Sequence, residues 1–212
     1  VDNLSGGRVD ISFAGGWQPN DFVLNPGAYA TAREQLPAMI DTVRRFWRGD
    51  TIELPGHDGR PVGVRTLPRP IQPELPVWLT SAGSTATFER AGTLGVNLLT
   101  HLLGQSVDQL AENIAAYRSA WRAVGHPGAG QVTLMLHTYL HADAAEARRV
   151  AREPMKSYLG TAAGLLKNMA SAFPTFAGSG KDADEAFASL TADELDQLLE
   201  MAAGRYLETS GL

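Results

Sequence analysis

The residues best suited to chemistry in this 212-residue chain lie in two glycine-containing stretches and one strand-like run. Ser81-Ala82-Gly83-Ser84-Thr85 joins an apolar strand pattern to a helical one. Backbone N–H groups of a first helical turn, the helix dipole and several hydroxyls would there face a phosphate. The same residues also read as a plain N-cap through Ser84 or Thr85. Ala14-Gly15-Gly16-Trp17 follows the alternating run Val9–Phe13. Glycine lets the backbone come close to a ligand while the indole lies beside it, or the stretch is a strand-end turn with a core tryptophan. His101, next to Thr100 near the end of Val96–Leu103, is either a hydrogen-bonded core histidine or a polar group facing a ligand. His137 and His141 stand four apart on a predicted strand and would share a face. No carboxylate or cysteine nearby completes a metal site there, so no metal is expected. His57 and His126 read as surface-loop residues. No GxSxG elbow, P-loop or GxGxxG fingerprint is present. The glycines of Gly125–Gly130 precede a strand instead of a helix.

Loops of this kind need strands to carry them. Val9, Ile11 and Phe13 alternate with Asp10 and Ser12, which predicts a strand. Leu36, Met39, Ile40, Val43, Phe46 and Trp47 recur at helical spacing as far as Gly49, with Pro37 starting or bending the helix. The Pro- and Gly-rich stretch Asp50–Pro76 predicts a hairpin-like insertion. Pro76–Thr80 and Val96–Leu103 read as strands buried on both faces. Phe88, Ala91 and Leu94 mark a helix between them, ending at Gly95. Ser106 and Gln109 form a capping box ahead of the apolar series Val107, Leu110, Ile114, Tyr117, Trp121 and Val124. Gln131–Leu140 predicts another strand. Asp143 opens a helical region that Pro154 should kink, and Gly160–Gly180 suggests shorter helices. Thr191 and Glu194 box the start of a last helix, with Leu190 and Leu195 as its staple and Leu198, Leu199 and Tyr206 on its apolar face.

Strand and helix thus alternate four times, which predicts a parallel α/β sheet, closed or open. Ligands in such sheets sit at the carboxyl ends of the strands. That rule nominates Ala14–Phe22, Ser81–Thr87, His101–Ser106 and Thr138–Asp143, and it puts the 50–76 insertion on the opposite, structural face. Hydrophobic residues at 44% and charged residues at 19% fit a soluble globular protein. A net charge of −5 argues against nucleic-acid and anionic-membrane partners. Without cysteine there is no disulfide framework and no thiolate ligand, which fits a cytoplasmic protein. No apolar run approaches the roughly 18 residues of a membrane span. The chain reads as an excerpt from something longer.

The stretch LSGGRVDISFAGGW, followed by Asn20-Asp21-Phe22, resembles the flavin-dependent luciferase-like monooxygenases, above all those of polyketide and nonribosomal-peptide assembly lines. The resemblance covers nearly all of Val1–Leu166. It implies one partial (β/α)8 TIM-barrel domain over residues 1–212, matching about strands four to seven, with the insertion at 50–76 and a helical segment at 143–212. It implies reduced FMN supplied by a separate flavin reductase, O2 as co-substrate, and one oxygen atom entering a small or carrier-protein-bound organic substrate. A homodimer is also in keeping with the family. Carried over residue by residue, Ser81, Ala82, Gly83 and Thr87 hold the FMN phosphate. Ala14, Gly15, Gly16 and Trp17 pass the reactive edge of the flavin, and His101 falls close to its ring as the catalytic candidate. The position matching Ala14 is a cysteine in bacterial luciferase, and that matching Gly15 an arginine. The assembly-line subgroup has Ala-Ser-Gly-Trp-His where this chain has Ala-Gly-Gly-Trp-Gln, so a hydroxyl at Gly15 and an imidazole at Gln18 are missing. Three alternatives remain: a deazaflavin-dependent hydride-transfer enzyme on the same barrel, a flavin-binding or interaction domain without catalysis, and a folded or partly folded remnant with no function of its own.

Overall fold

The computed structural model describes residues 1–16, 19–102, 105–161 and 190–209. Trp17, Gln18 and the expected short helices between Gly160 and Gly180, beyond Thr161, lie outside the described residues. In chain order the elements are α1 (Asp2–Ser5), β1 (Ile11–Phe13), two short 3-10 turns (Pro19–Phe22 and Pro26–Ala28), α2 (Ala32–Arg48), β2 (Ile52–Pro55) and β3 (Pro61–Val64). They continue with β4 (Val77–Ser81), α3 (Thr85–Leu94), β5 (Asn97–His101), α4 (Val107–Val124), β6 (Val132–Met135), α5 (Ala144–Thr161) and α6 (Ala192–Thr209). Four strands form a parallel sheet in the order β1-β4-β5-β6, and β2 and β3 form a separate antiparallel hairpin. The chain divides into two compact units.

The first unit comprises Val1–Ser81, Thr85–Leu99 and Ala115–Thr133. Its core is Val77 and Leu79 of β4, Phe88 and Ala91 of α3, Leu98 of β5 and Tyr117 and Trp121 of α4, all buried. Full burial of each such side chain contributes roughly 1.5–3 kcal/mol. The Tyr117 hydroxyl donates to the Val96 carbonyl at 3.0 Å, and burial pushes the phenol up to about 12. Helix α2 begins at Ala32, ahead of Pro37, and ends at Gly49 in the left-handed region. Pro37 has no N–H for the carbonyl four residues back, that of Arg33. The Arg90 guanidinium supplies the missing donor, at 2.9 Å from the Arg33 oxygen. This substitute lets the helix run through the proline.

The 50–76 stretch forms the expected hairpin and then a strap tied down by Asp2. One Asp2 oxygen accepts from the backbone N–H groups of Ile71 (2.7 Å) and Gln72 (3.0 Å), and the other from the Gln72 amide (2.9 Å). Burial opposes ionisation of Asp2, but these bonds outweigh it and hold the carboxyl below its usual range.

The expectation that β4 is buried on both faces does not hold. Val77, Leu79 and Ser81 are buried, whereas Trp78 and Thr80 are half-exposed. Strand β5 alternates in the same way, with Leu98 and Thr100 buried and Leu99 and His101 half-exposed. The reason is visible in the first unit, where Trp78 and Thr80 meet polar partners on β1 instead of a second apolar layer.

The second unit comprises Ala82–Ser84, Thr100–Ile114 and the described residues of Leu134–Leu212. Met155 and Leu159 of α5 are buried, as are Leu198, Ala202, Ala203, Tyr206 and Leu207 of the helix α6 that packs on it. Lys156 pairs with Asp196 at 2.7 Å, and Arg152 with Glu200. The Ser106–Gln109 box closes reciprocally at 2.9 and 3.2 Å. Glu194 likewise accepts from the Thr191 N–H at 2.8 Å, and the Thr191 hydroxyl accepts from the Glu194 N–H at 3.3 Å. Asp143 caps α5 through the N–H groups of Ala145 and Glu146, and α5 continues through Pro154 as one helix. Strand β6 stops at Met135, five residues short of the expected Leu140. His137 and His141 therefore lie beyond the strand and are not related by its two-residue period.

Candidate functional site

In the first unit one side of β1 and β4, with Asp10 just ahead of β1, is a polar face. Their parallel register pairs Ile11 with Val77, Ser12 with Trp78 and Phe13 with Leu79. Asp10 and Ser12 consequently project on the same side as Trp78 and Thr80. The Trp78 indole donates to Asp10 at 2.9 Å, and the Ser12 and Thr80 hydroxyls are 2.7 Å apart. Ser81, one of the expected phosphate ligands, belongs to the opposite, buried face with Val77 and Leu79.

The loop after β1 carries Ala14, which is exposed, and the half-buried Gly15 and Gly16. A Cβ added at Gly15 would stand 3.0 Å from the Arg33 Cγ. Gly16 has φ +74°, and a Cβ there would meet the Phe22 ring at 2.5 Å. Phe22 in turn meets Tyr29 edge-on, with centroids 5.2 Å apart. The space that glycine frees beside this loop is thus taken by Arg33 and Phe22 of the same chain. Arg33 is exposed, and its stem lies beside Gly15.

The loop after β4 is built differently. Within the second unit, Gly83 has φ +125°, a conformation that L side chains rarely adopt, and a Cβ there would meet the Gln105 Cβ at 3.3 Å. Its carbonyl accepts from the Asn113 amide at 3.2 Å. Asn113 also donates to the Gln105 oxygen at 3.0 Å, and the Gln105 nitrogen donates to the Thr100 hydroxyl (2.8 Å) and the His101 carbonyl (2.9 Å). Thr100, Gln105 and Asn113 are 1, 5 and 5% exposed. Ala82 and Ser84 are exposed, and Thr87 is half-buried in the first turn of α3.

Gln105 lies in the nominated loop His101–Ser106 but was given no role of its own, and Asn113 lies outside every nominated stretch. Asn113 carries a signal: it sits three residues after Leu110 and four before Tyr117, on the buried stripe of α4. A polar residue on such a stripe needs buried partners.

His101 ends β5 half-buried. Burial first, and then the like charge of His137, hold its imidazole below the ordinary range, so it is neutral at pH 7. A neutral imidazole donates from one nitrogen and accepts at the other. The His137 ring lies 4.7 Å from the Tyr158 ring, and its Nδ1 is 3.2 Å from the Tyr206 hydroxyl, which also receives the His137 N–H at 3.4 Å. His141 turns to its own chain, its Nδ1 accepting from the Asp143 N–H at 3.1 Å. His57 is exposed as expected, but His126 is half-buried, bound to the Thr93 carbonyl at 2.9 Å and tilted against Trp121. Among the described residues no group of three His, Cys, Asp or Glu side chains is arranged to hold a metal ion. No described helix is long and apolar enough to cross a membrane.

A parallel strand–helix sheet with polar groups gathered at the strand ends is the plan of a (β/α)8 barrel, of which this chain forms part. The family model of luciferase-like monooxygenases matches residues 1–205, and the chain belongs to that family. It is similar to the monooxygenase RslO1 from Streptomyces bottropensis, with 19% identity over 98% of this chain and 70% of that one, at a TM-score of 0.55. It is also similar to an F420-dependent secondary alcohol dehydrogenase in complex with an F420-acetone adduct. There the identity is 15% over 97% of this chain and 62% of the other, at a TM-score of 0.58. Uncharacterized proteins of Mycobacterium tuberculosis (Rv0953c) and Mycobacterium bovis (Mb0978c) are each 25% identical to it over 138 residues, 64% of this chain. The chain spans about half the length of those relatives.

Proposed function

We propose that the protein is a reduced-flavin-dependent monooxygenase that receives FMN from a separate reductase and oxygenates an organic intermediate with O2. The observation that carries this reading is the luciferase-like match across residues 1–205. The loop after β4 suits a flavin phosphate: Gly83 has φ +125°, where a side chain is strained, a Cβ there would press on Gln105 at 3.3 Å, and its carbonyl is bound inward, as an anion cradle requires. When bound, the reduced flavin supplies the two electrons that activate O2.

The protein's own residues have three tasks. The Ser81–Thr85 segment and Thr87 hold the phosphate end through N–H groups and hydroxyls at the start of α3. Ala14, Gly15, Gly16 and Trp17 bring backbone and indole to the edge of the ring. His101, neutral at pH 7, gives or takes one hydrogen bond at the ring or the substrate. The setting we propose is natural-product biosynthesis in the cytoplasm, with a small or carrier-bound substrate.

The F420-dependent dehydrogenase neighbour favours a second reading, hydride transfer with a deazaflavin. Anaerobic titration of the protein, expressed from its complete reading frame, with reduced FMN and with reduced F420 separates the two. Under the first reading FMN binds, and 18O from 18O2 appears in the oxidised substrate. Binding of reduced F420 with its oxygen-independent reoxidation by a carbonyl substrate, which takes the hydride and becomes the alcohol, would replace that reading by the second. Binding of neither cofactor would overturn both.

A further inference from the structure

We propose that Gln105 and Asn113 are positioning residues that fix the loop after β4 in the conformation that receives the cofactor's phosphate; this rests on the flavin or deazaflavin reading above. Burying two amides is costly unless their donors are paired, and here each donor is. The two Gln105 N–H groups go to the Thr100 hydroxyl and the His101 carbonyl, and those of Asn113 go to the Gln105 oxygen and the Gly83 carbonyl. Leucine or methionine would fill the same volume without this requirement. What the amides add is direction.

In a trans peptide the C=O and the following N–H point in opposite directions. Asn113 draws the Gly83 carbonyl inward, so the Ser84 N–H points the opposite way, where the Ala82 and Ser84 side chains are exposed. An oxyanion is bound by N–H groups and repelled by carbonyl oxygens, so this peptide orientation decides between a cradle and a repulsive loop. Gln105 locks it twice. It orients Asn113 through its oxygen, and its stem lies where a Cβ on Gly83 would fall. The chain from Thr100 to Gly83 therefore couples the end of β5 to the peptide plane at the start of α3. The ligand chemistry is a phosphate ester on a ribityl chain, the monoester of FMN or the diester of F420.

The test compares cofactors with and without the phosphate: FMN against riboflavin, and F420 against its phosphate-free deazaflavin core, by fluorescence titration of the whole protein. The wild type is expected to prefer the phosphorylated form. Asn113→Leu and Gln105→Leu should lower FMN (or F420) affinity ~10-fold, the loss of one charge-assisted hydrogen bond, and leave riboflavin (or core) affinity unchanged. A purely structural role would lower both affinities together and keep their ratio, which would overturn the proposal. Gly83→Ala, which adds a Cβ against Gln105 without removing a buried polar group, should collapse the ratio as well. It decides the matter if the leucine variants fail to fold, and a wild-type ratio in Gly83→Ala would overturn the proposal. A wild type that binds FMN and riboflavin equally would sink the positioning role and leave the flavin reading standing. One that binds neither flavin nor deazaflavin would sink both.

Discussion

The loops after β1 and β4 both use glycine at a strand end, and they are held in opposite ways. Beside Gly15 and Gly16 the space is filled by side chains, the exposed stem of Arg33 and the half-buried ring of Phe22. Beside Gly83 the backbone itself is tied by a carbonyl bond into three buried polar residues. Side chains over glycine yield by rotamer changes that cost little. A buried hydrogen-bonded carbonyl yields only by leaving polar atoms unpaired. The difference teaches that one loop is fixed by polar bonds and the other only by side-chain packing, the division that the proposed phosphate anchor and exchanging ring call for.

The sharpest way to break this contrast is Asn113→Leu. It removes the donor that the Gly83 carbonyl and the Gln105 oxygen share, at a total of about 1–3 kcal/mol. Urea unfolding should show that loss as a lower midpoint at unchanged slope. Tyr206→Phe comes next: removing the hydroxyl at His137 should cost ~1 kcal/mol, again read as a lower urea midpoint.

His101 gives a pH signature in place of a fixed loss. Its folded pKa lies below the unfolded one, so between the two values the unfolded chain binds more protons. Its contribution is therefore intact above about 6.5, the ordinary imidazole value, and stability falls as pH drops below it. His101→Gln should flatten that slope in pH-dependent denaturation. A double-mutant cycle of Ser12→Ala and Thr80→Val should give a coupling of only ~0.5 kcal/mol, since that hydroxyl pair is exposed. The smallest effect belongs to Gly15→Ser, where the Arg33 stem can move aside. Its stability change should stay within ~0.5 kcal/mol, and a larger loss would show that the first loop is as rigid as the second.

Most of the framework was legible in the chain. The capping boxes at Ser106 and Thr191, the Gly49 and Gly95 stops and the 50–76 hairpin depend on residues a few positions apart, and local chemistry decides them. The open faces of β4 and β5 were not legible, because whether Trp78 or His101 is covered depends on what lies across the sheet. The length of β6 was misjudged for a similar reason. QVTLMLHTYL has strand composition throughout, but Tyr206 of α6 engages the His137 N–H beyond Met135. Asn113 and the role of Gln105 inside the nominated His101–Ser106 loop escaped notice because their partners are scattered from Gly83 to Asn113.

Sequence by itself determined the alternation of strand and helix, the glycines that end each element and the loops that follow each strand. It also carried the luciferase-like signature. Tertiary structure alone decided that Arg90 completes the helix through Pro37, that Arg33 covers Gly15 and that two buried amides aim the Gly83 peptide. The first and last are directional hydrogen bonds and the second is a packing contact, all between residues apart in sequence, and propensity and periodicity encode neither the distances nor the angles on which they depend.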